Sequence, residues 1–199
     1  MIDVRRIDGN NKPLNKNGTH VVYWMTSSRR ARWNHALDHA IELANEYDVS
    51  LIVVECLALG HRWANDRIHT FVLQGMIDNR KLFETSPVTY VPYVETKKAQ
   101  AGGLLRSFSE NAVAVIIDDY PTYMPRDVAQ RAKNVANCSV RCIDSNGIVP
   151  MRAPERSFST AHSFRRYIHK NVLNFIANPP AHEPLKNLNA VPDGSEIVK

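Results

Sequence analysis

At 199 residues, 44% apolar and 23% charged, the chain is long enough to bury one ordinary core and has the composition of a globular domain. Its apolar runs fall far short of the roughly 20 residues of a membrane span, and its first residues lack the apolar segment of an export signal, so a cytoplasmic protein with no membrane partner is expected. The net charge of +5 suits a polyanion, but lysines and arginines are interspersed with acids, and nucleic-acid binding is expected to be weak at most.

Residues 1–18 are polar, with Gly9, Pro13 and Gly18, and read as an irregular arm. A strand is expected over 20–26. Trp33, Ala36, Leu37, Ala40, Ile41 and Ala44 then recur at helical spacing, predicting a helix from about residue 32 to 47 with one face against a sheet. Residues 50–57 (SLIVVECL) form a continuous apolar run, as in a strand buried on both faces. A helix over 64–83 and an edge strand over 87–94 follow, the latter carrying a proline. Residues 95–111 read as a helix, 112–117 (AVAVII) as a strand, 125–137 as a helix and 138–143 as a fifth strand. An amphipathic helix in the segment from 148 is stopped by Pro179 and Pro180. Residues 177–199, with four prolines, read as an extended tail.

Strands alternating with helices predict an α/β fold: an open, doubly wound, parallel five-stranded, Rossmann-like sheet with helices on both faces. The expected organisation is an arm over 1–18, one domain over 19–176 and the tail. Ligands of such sheets bind outside the carboxyl ends of strands where the winding reverses. Those ends are WMTSS and IDDYP.

At the first of them, Thr26, Ser27 and Ser28 offer hydroxyls and N–H groups to an anion at a helix N-terminus; the alternative is that Ser27 or Ser28 only caps the helix. No glycine lies between Gly18 and Gly60, which excludes a glycine-rich phosphate loop there. At the second, Asp118 and Asp119 can contact a ligand or, alternatively, cap the next helix. His35 and His39 share a helix flank without a metal-protease pattern and read as an exposed polar face. Cys56, Cys138 and Cys142 fit neither a disulfide framework nor a zinc knuckle; Cys56 reads as a small buried hydrophobe. No catalytic residue and no metal site is expected. Arg152, Arg156, Arg165, Arg166 and Lys170 with Phe158, Phe164 and Tyr167 read as an amphipathic helix on its own domain or, alternatively, as a surface that touches nucleic acid or a partner.

The segments VVYWM, NHALDHAIELANEY, ANDRIHTFVLQGM, AVAVIIDDYP and IVPMRAPERSFSTAHSFRRYIHK, in this order over residues 20–172, resemble the N-terminal α/β domain of DNA photolyases of the class II group. The resemblance implies a domain that carries an antenna chromophore, a deazaflavin, folate or flavin, and passes excitation to a reduced flavin in a separate helical domain that repairs pyrimidine dimers. That flavin domain and its FAD pocket are not expected within this sequence. On this reading an aromatic cofactor or nucleotide stacks near Trp24 or Met25, with Thr26, Ser27, Arg29, Glu55, Asp118, Asp119 and Tyr120 around it. The implied partner is a separate photolyase flavin-domain chain or a second copy. The other reading is a cofactor-free protein that docks a partner through its C-terminal helix and tail.

Overall fold

The computed structural model describes residues 2–189 and 191–198. In chain order its elements are β1 (Ile7–Gly9), β2 (His20–Met25), α1 (His35–Tyr47), β3 (Ser50–Leu57), α2 (Asp66–Phe83), β4 (Thr89–Val94), α3 (Leu104–Ser109), β5 (Ala112–Asp119), α4 (Tyr123–Val135), β6 (Ser139–Asp144) and α5 (Ala161–Ile176). The strands form one sheet in the order β1-β6-β5-β2-β3-β4. Five run parallel and β1 joins the β6 edge antiparallel. β4 is the opposite edge, which tolerates Pro92.

The winding follows from side-chain alternation. Along β2, Val21, Tyr23 and Met25 point into a core completed by Ala36, Leu37, Ala40, Ile41 and Ala44 of α1 and by Phe83 of α2. Val22 and Trp24 point the other way, onto Phe108 of α3 and Ala129 and Ala132 of α4. The first two helices thus cover one face and the next two the other, and the reversal falls between β2 and β5, where Trp24 pairs with Ile117. The entry to β2 is tight: a Cβ on Gly18 would lie 2.4 Å from the Val113 amide nitrogen, so only glycine fits there.

Four segments differ from expectation. The polar arm is not irregular; it supplies β1, and Asn10 fastens it by accepting from the Val140 N–H (3.0 Å) and donating to the Cys138 carbonyl (3.1 Å). A three-residue strand is too short to leave a periodic signal, and it makes the sheet six-stranded. The helix expected over 95–111 shrinks to α3, because Ala99 and Gly103 adopt positive φ (62° and 91°) and the Glu95 carboxylate gathers the N–H groups of Leu59 and Ala101 into a loop. α1 begins at His35, not near residue 32, because Trp33 has φ 49° and the Asn34 side chain caps the helix by accepting from the Ala36 and Leu37 N–H groups.

The tail is the fourth. It forms two 3-10 turns, Pro184–Asn187 and Ser195–Val198, and straps the domain. Asn45 of α1 donates to the Asn187 carbonyl (2.8 Å) and accepts from the Asn189 N–H (2.9 Å). Leu185 and Leu188 pack on the α1 side, and Val198 reaches the core on the other side. No helix among the described residues is long and apolar enough to cross a membrane.

Candidate functional site

The sheet brings the two expected strand ends together, and the space between them is filled by the chain itself. Asp118, fully buried near the end of β5, turns its carboxylate to the loop after β2. One oxygen accepts from the N–H groups of Thr26 (2.8 Å), Ser27 (2.8 Å) and Ser28 (3.0 Å); the other accepts from the Tyr23 hydroxyl (2.9 Å). The Asn34 amide donates to the Tyr23 oxygen (2.9 Å) and to the Ser28 and Arg30 carbonyls. Three consecutive N–H groups do form an anion nest, and its anion is Asp118. Burial, and then the Asp118 charge, push the Tyr23 phenol well above its ordinary range, so it stays a donor. Neither Ser27 nor Ser28 caps α1, and Asp118 caps no helix.

Beside this network, buried Glu55 accepts from the Tyr90 hydroxyl (2.6 Å), the Asn79 amide (2.9 Å) and Arg29 (3.2 Å). Arg29 also donates to the Cys56 and Thr26 carbonyls. Arg29 and Glu55 therefore pin the first elbow to β3, an arrangement that breaks at high cost when one partner is removed. Asp119 pairs with Arg152, which also lies 3.5 Å from Asp8. Met25 and Trp24 are core side chains on opposite faces, Trp24 meeting Phe108 edge-on at 6.5 Å. Of the expected site residues, Tyr120 stands partly in solvent, and the Ser27 hydroxyl is buried without a hydrogen-bond partner.

Above the filled crevice, the rim carries residues that the sequence reading did not single out. Trp63, in the loop after β3, and Tyr123, which opens α4 beyond β5, meet edge to face at 5.9 Å while 50% and 70% exposed. His61 packs against Trp63, and the Arg62 guanidinium lies over the same ring at 5.5 Å. Tyr123 has φ 57°, a costly conformation for an aromatic residue, and Thr122 gives α4 no side-chain cap. The signal that finds this pair is position: an aromatic residue in each of two loops that leave carboxyl ends near the switch point.

The remaining candidates are structural. His39 is buried, not on an exposed face as expected, and is held by Glu42 (3.3 Å) and Arg141 (2.9 Å). Burial pushes the Cys56 and Cys142 thiols up to about 12, away from reactivity. Among the described residues no group of three or more His, Cys, Asp or Glu is arranged to hold a metal. Phe158 packs on Phe164 and Tyr167 (5.3 and 5.4 Å) with Arg156 over its ring, so part of the expected basic and aromatic cluster is engaged with itself.

Over 174 residues the chain is 28% identical to the deoxyribodipyrimidine photo-lyase of Methanothermobacter thermautotrophicus, covering 87% of this chain and 38% of that protein. The chain is photolyase-related. A deoxyribodipyrimidine photo-lyase of Arabidopsis thaliana is 25% identical over 185 residues, covering 89% of this chain and 36% of that one. The photolyase match is thus partial, and the chain spans little more than a third of these curated relatives. No family model matches. Among solved structures, a universal stress protein of Archaeoglobus fulgidus in complex with dAMP aligns with TM-score 0.42 and 19% identity over 64% of this chain and 98% of that one.

Proposed function

We propose that this photolyase-related chain is an antenna-type domain that holds a planar aromatic cofactor, a deazaflavin, folate or flavin, at its rim, and serves a flavin-bearing partner in photolyase-type DNA repair without carrying out bond chemistry itself. The observation that carries the reading is the exposed Trp63–Tyr123 pair at the strand ends. Two rings from separate loops, one on a strained backbone, offer a stacking surface that costs little further ordering. The crevice beneath supplies rigidity: its carboxylates are saturated by the chain's own donors, so they neither abstract protons nor accept from a ligand without rearrangement. Titration of the purified chain with a deazaflavin, followed by tryptophan emission, is expected to saturate. Trp63→Ala and Tyr123→Ala each weaken binding at least about tenfold, on the scale of a lost aromatic stack. Absence of saturable binding to a deazaflavin, a folate and a flavin would remove the cofactor from this proposal.

A second reading has its own observation. The first ten residues of α2 include no buried side chain, and Phe71 is 76% exposed with Ile68, Leu73 and Ile77 also in solvent. On this reading the free half-helix docks a photolyase flavin domain carried on a separate chain. On this reading the tail stays engaged along α1. Co-purification with such a domain, abolished by Phe71→Glu, is the expected result; co-purification unchanged by that substitution overturns it.

A further inference from the structure

A cavity of about 410 Å³ lies between the C-terminal end of α5, the turn at 178–180 and the loops that follow β2 and β6. That volume suits a small ligand. Trp33, Ile148, Phe175 and Ile176 make its apolar wall, and Arg6, Arg30 and Ser145 its polar one. It is built from different loops than the rim of Trp63 and Tyr123.

Three features of the lining point the same way. The charged residues in it are arginines, and no carboxylate lines it. Arg6 is buried, and its hydrogen bonds go to the main-chain carbonyls of Asp144 and Ile148; those of Arg30 go to the Trp33 carbonyl (3.2 and 3.0 Å). The charges of Asp144 and Asp3 reach Arg6, but neither carboxylate takes its hydrogen bonds: Asp144 accepts from the N–H groups of Met151 (2.6 Å) and Asn146 (3.0 Å), and Asp3 from Arg5. Guanidinium groups matched to peptide carbonyls keep their capacity for an anion. Second, the Ser145 hydroxyl is buried and lacks a hydrogen-bond partner, which is uncommon enough to require a cause. Third, Trp33 holds a left-handed backbone (φ 49°) with its side chain about half exposed, fixed by Arg30 on its carbonyl and by its own N–H on the Ala181 carbonyl (3.0 Å). Over-determined strain of this kind is a feature of ligand clamps.

We propose that this cavity binds a small planar aromatic acid, with its ring against Trp33 and Phe175, its carboxylate on the guanidinium groups of Arg30 and Arg6, and the Ser145 hydroxyl donating to it. His35, at the same wall, is kept neutral at pH 7: burial and the Arg6 charge bring it down to about 4. It adds a polar edge without adding charge.

The test uses the full chain and two isosteric probes, 2-naphthoate and 2-naphthamide, in titration calorimetry. One naphthoate is expected per chain, with the amide at least about tenfold weaker, the size of one lost charge-assisted hydrogen bond or more. Arg30→Met weakens naphthoate at least about fivefold and Ser145→Ala about two- to fivefold; Trp63→Ala leaves it unchanged. Circular dichroism confirms that each variant is folded, and Ser145→Ala keeps the test decisive should Arg30→Met not fold. Equal affinity for acid and amide, loss of binding in Trp63→Ala, or no saturable binding to the folded native chain at millimolar probe overturns the proposal.

Discussion

Two neighbouring strand ends in this molecule are built alike and finish differently. β5 and β6 each carry, at or next to their last residue, a buried aspartate whose carboxylate collects backbone N–H groups from a loop: Asp118 from residues 26–28, Asp144 from residues 146 and 151. At β5 the partner loop belongs to the adjacent strand, so the bonds draw the crevice shut. At β6 the partner loop is the strand's own continuation, and the space beside it stays open between Trp33, Ser145 and α5. A polar strand end is thus not itself a binding site. A buried hydroxyl without a partner occurs at both, Ser27 on the closed side and Ser145 on the open one; what separates the two is whether the partner loop crosses the space beside the strand end or leaves it free.

The largest expected effect tests the closed side. Asp118→Ala leaves three N–H groups and the Tyr23 hydroxyl without their acceptor and is expected to destabilise the fold by about 3–5 kcal/mol in urea unfolding, as for removal of one member of a buried charged network. A loss below about 1 kcal/mol would mean that water or a ligand fills the nest readily, and the contrast between the two strand ends would fail.

A second prediction concerns two largely buried polar groups of α1, His35 beside the open cavity and Asp38 outside it. Asp38 is raised to about 6, by burial first, with Glu42 adding to the rise and the Ala181 N–H opposing it; His35 is lowered to about 4, by burial first and then by Arg6. Between pH 4 and 6 the folded chain keeps a proton on Asp38 that the unfolded chain sheds, so this group makes stability fall as pH rises. Over the same window the unfolded chain protonates His35 and the folded chain does not, so that group makes stability rise with pH. Their opposite slopes offset. Asp38→Asn is expected to turn the stability profile upward with pH in that window, and His35→Gln to turn it downward, each read from urea midpoints at half-unit steps. Parallel profiles for both variants and the native chain would contradict the burial assigned to these two groups.

The smallest effect concerns the strap that runs along α1. Asn45→Ala removes two partly exposed hydrogen bonds to residues 187 and 189 and should cost about 1 kcal/mol. Amide exchange should accelerate at 185–189 while the strands remain protected; uniform acceleration would instead make the strap part of the global core.

Much of this was legible beforehand. The apolar runs 50–57 and 112–117 and the helical spacing from Ala36 to Ala44 carry the parallel sheet and its α1 layer, because burial on two faces and on one face leave different local patterns. Asn34 before Ala36 and Leu37 also matched a capping signal that Trp33 obscured by appearing to begin the helix. The closure was not legible: Asp118 meets Thr26 across 92 residues, and no local pattern states whether a strand-end carboxylate turns toward solvent or toward a neighbouring loop. The tail escaped for a similar reason, since its prolines and polar residues describe an extended chain equally well when it is loose and when Leu185 and Leu188 dock it on α1.

The central claim, a sealed crevice beneath a ligand-binding rim, is tested most directly by titrating a deazaflavin into the native chain, Trp63→Ala and Glu55→Gln and comparing dissociation constants. The account predicts saturable binding that Trp63→Ala weakens at least about tenfold and that Glu55→Gln, behind the sealed wall, leaves within about twofold. Binding that is indifferent to Trp63 and lost in a Glu55→Gln chain that circular dichroism shows to be folded would place the ligand inside the crevice and contradict it.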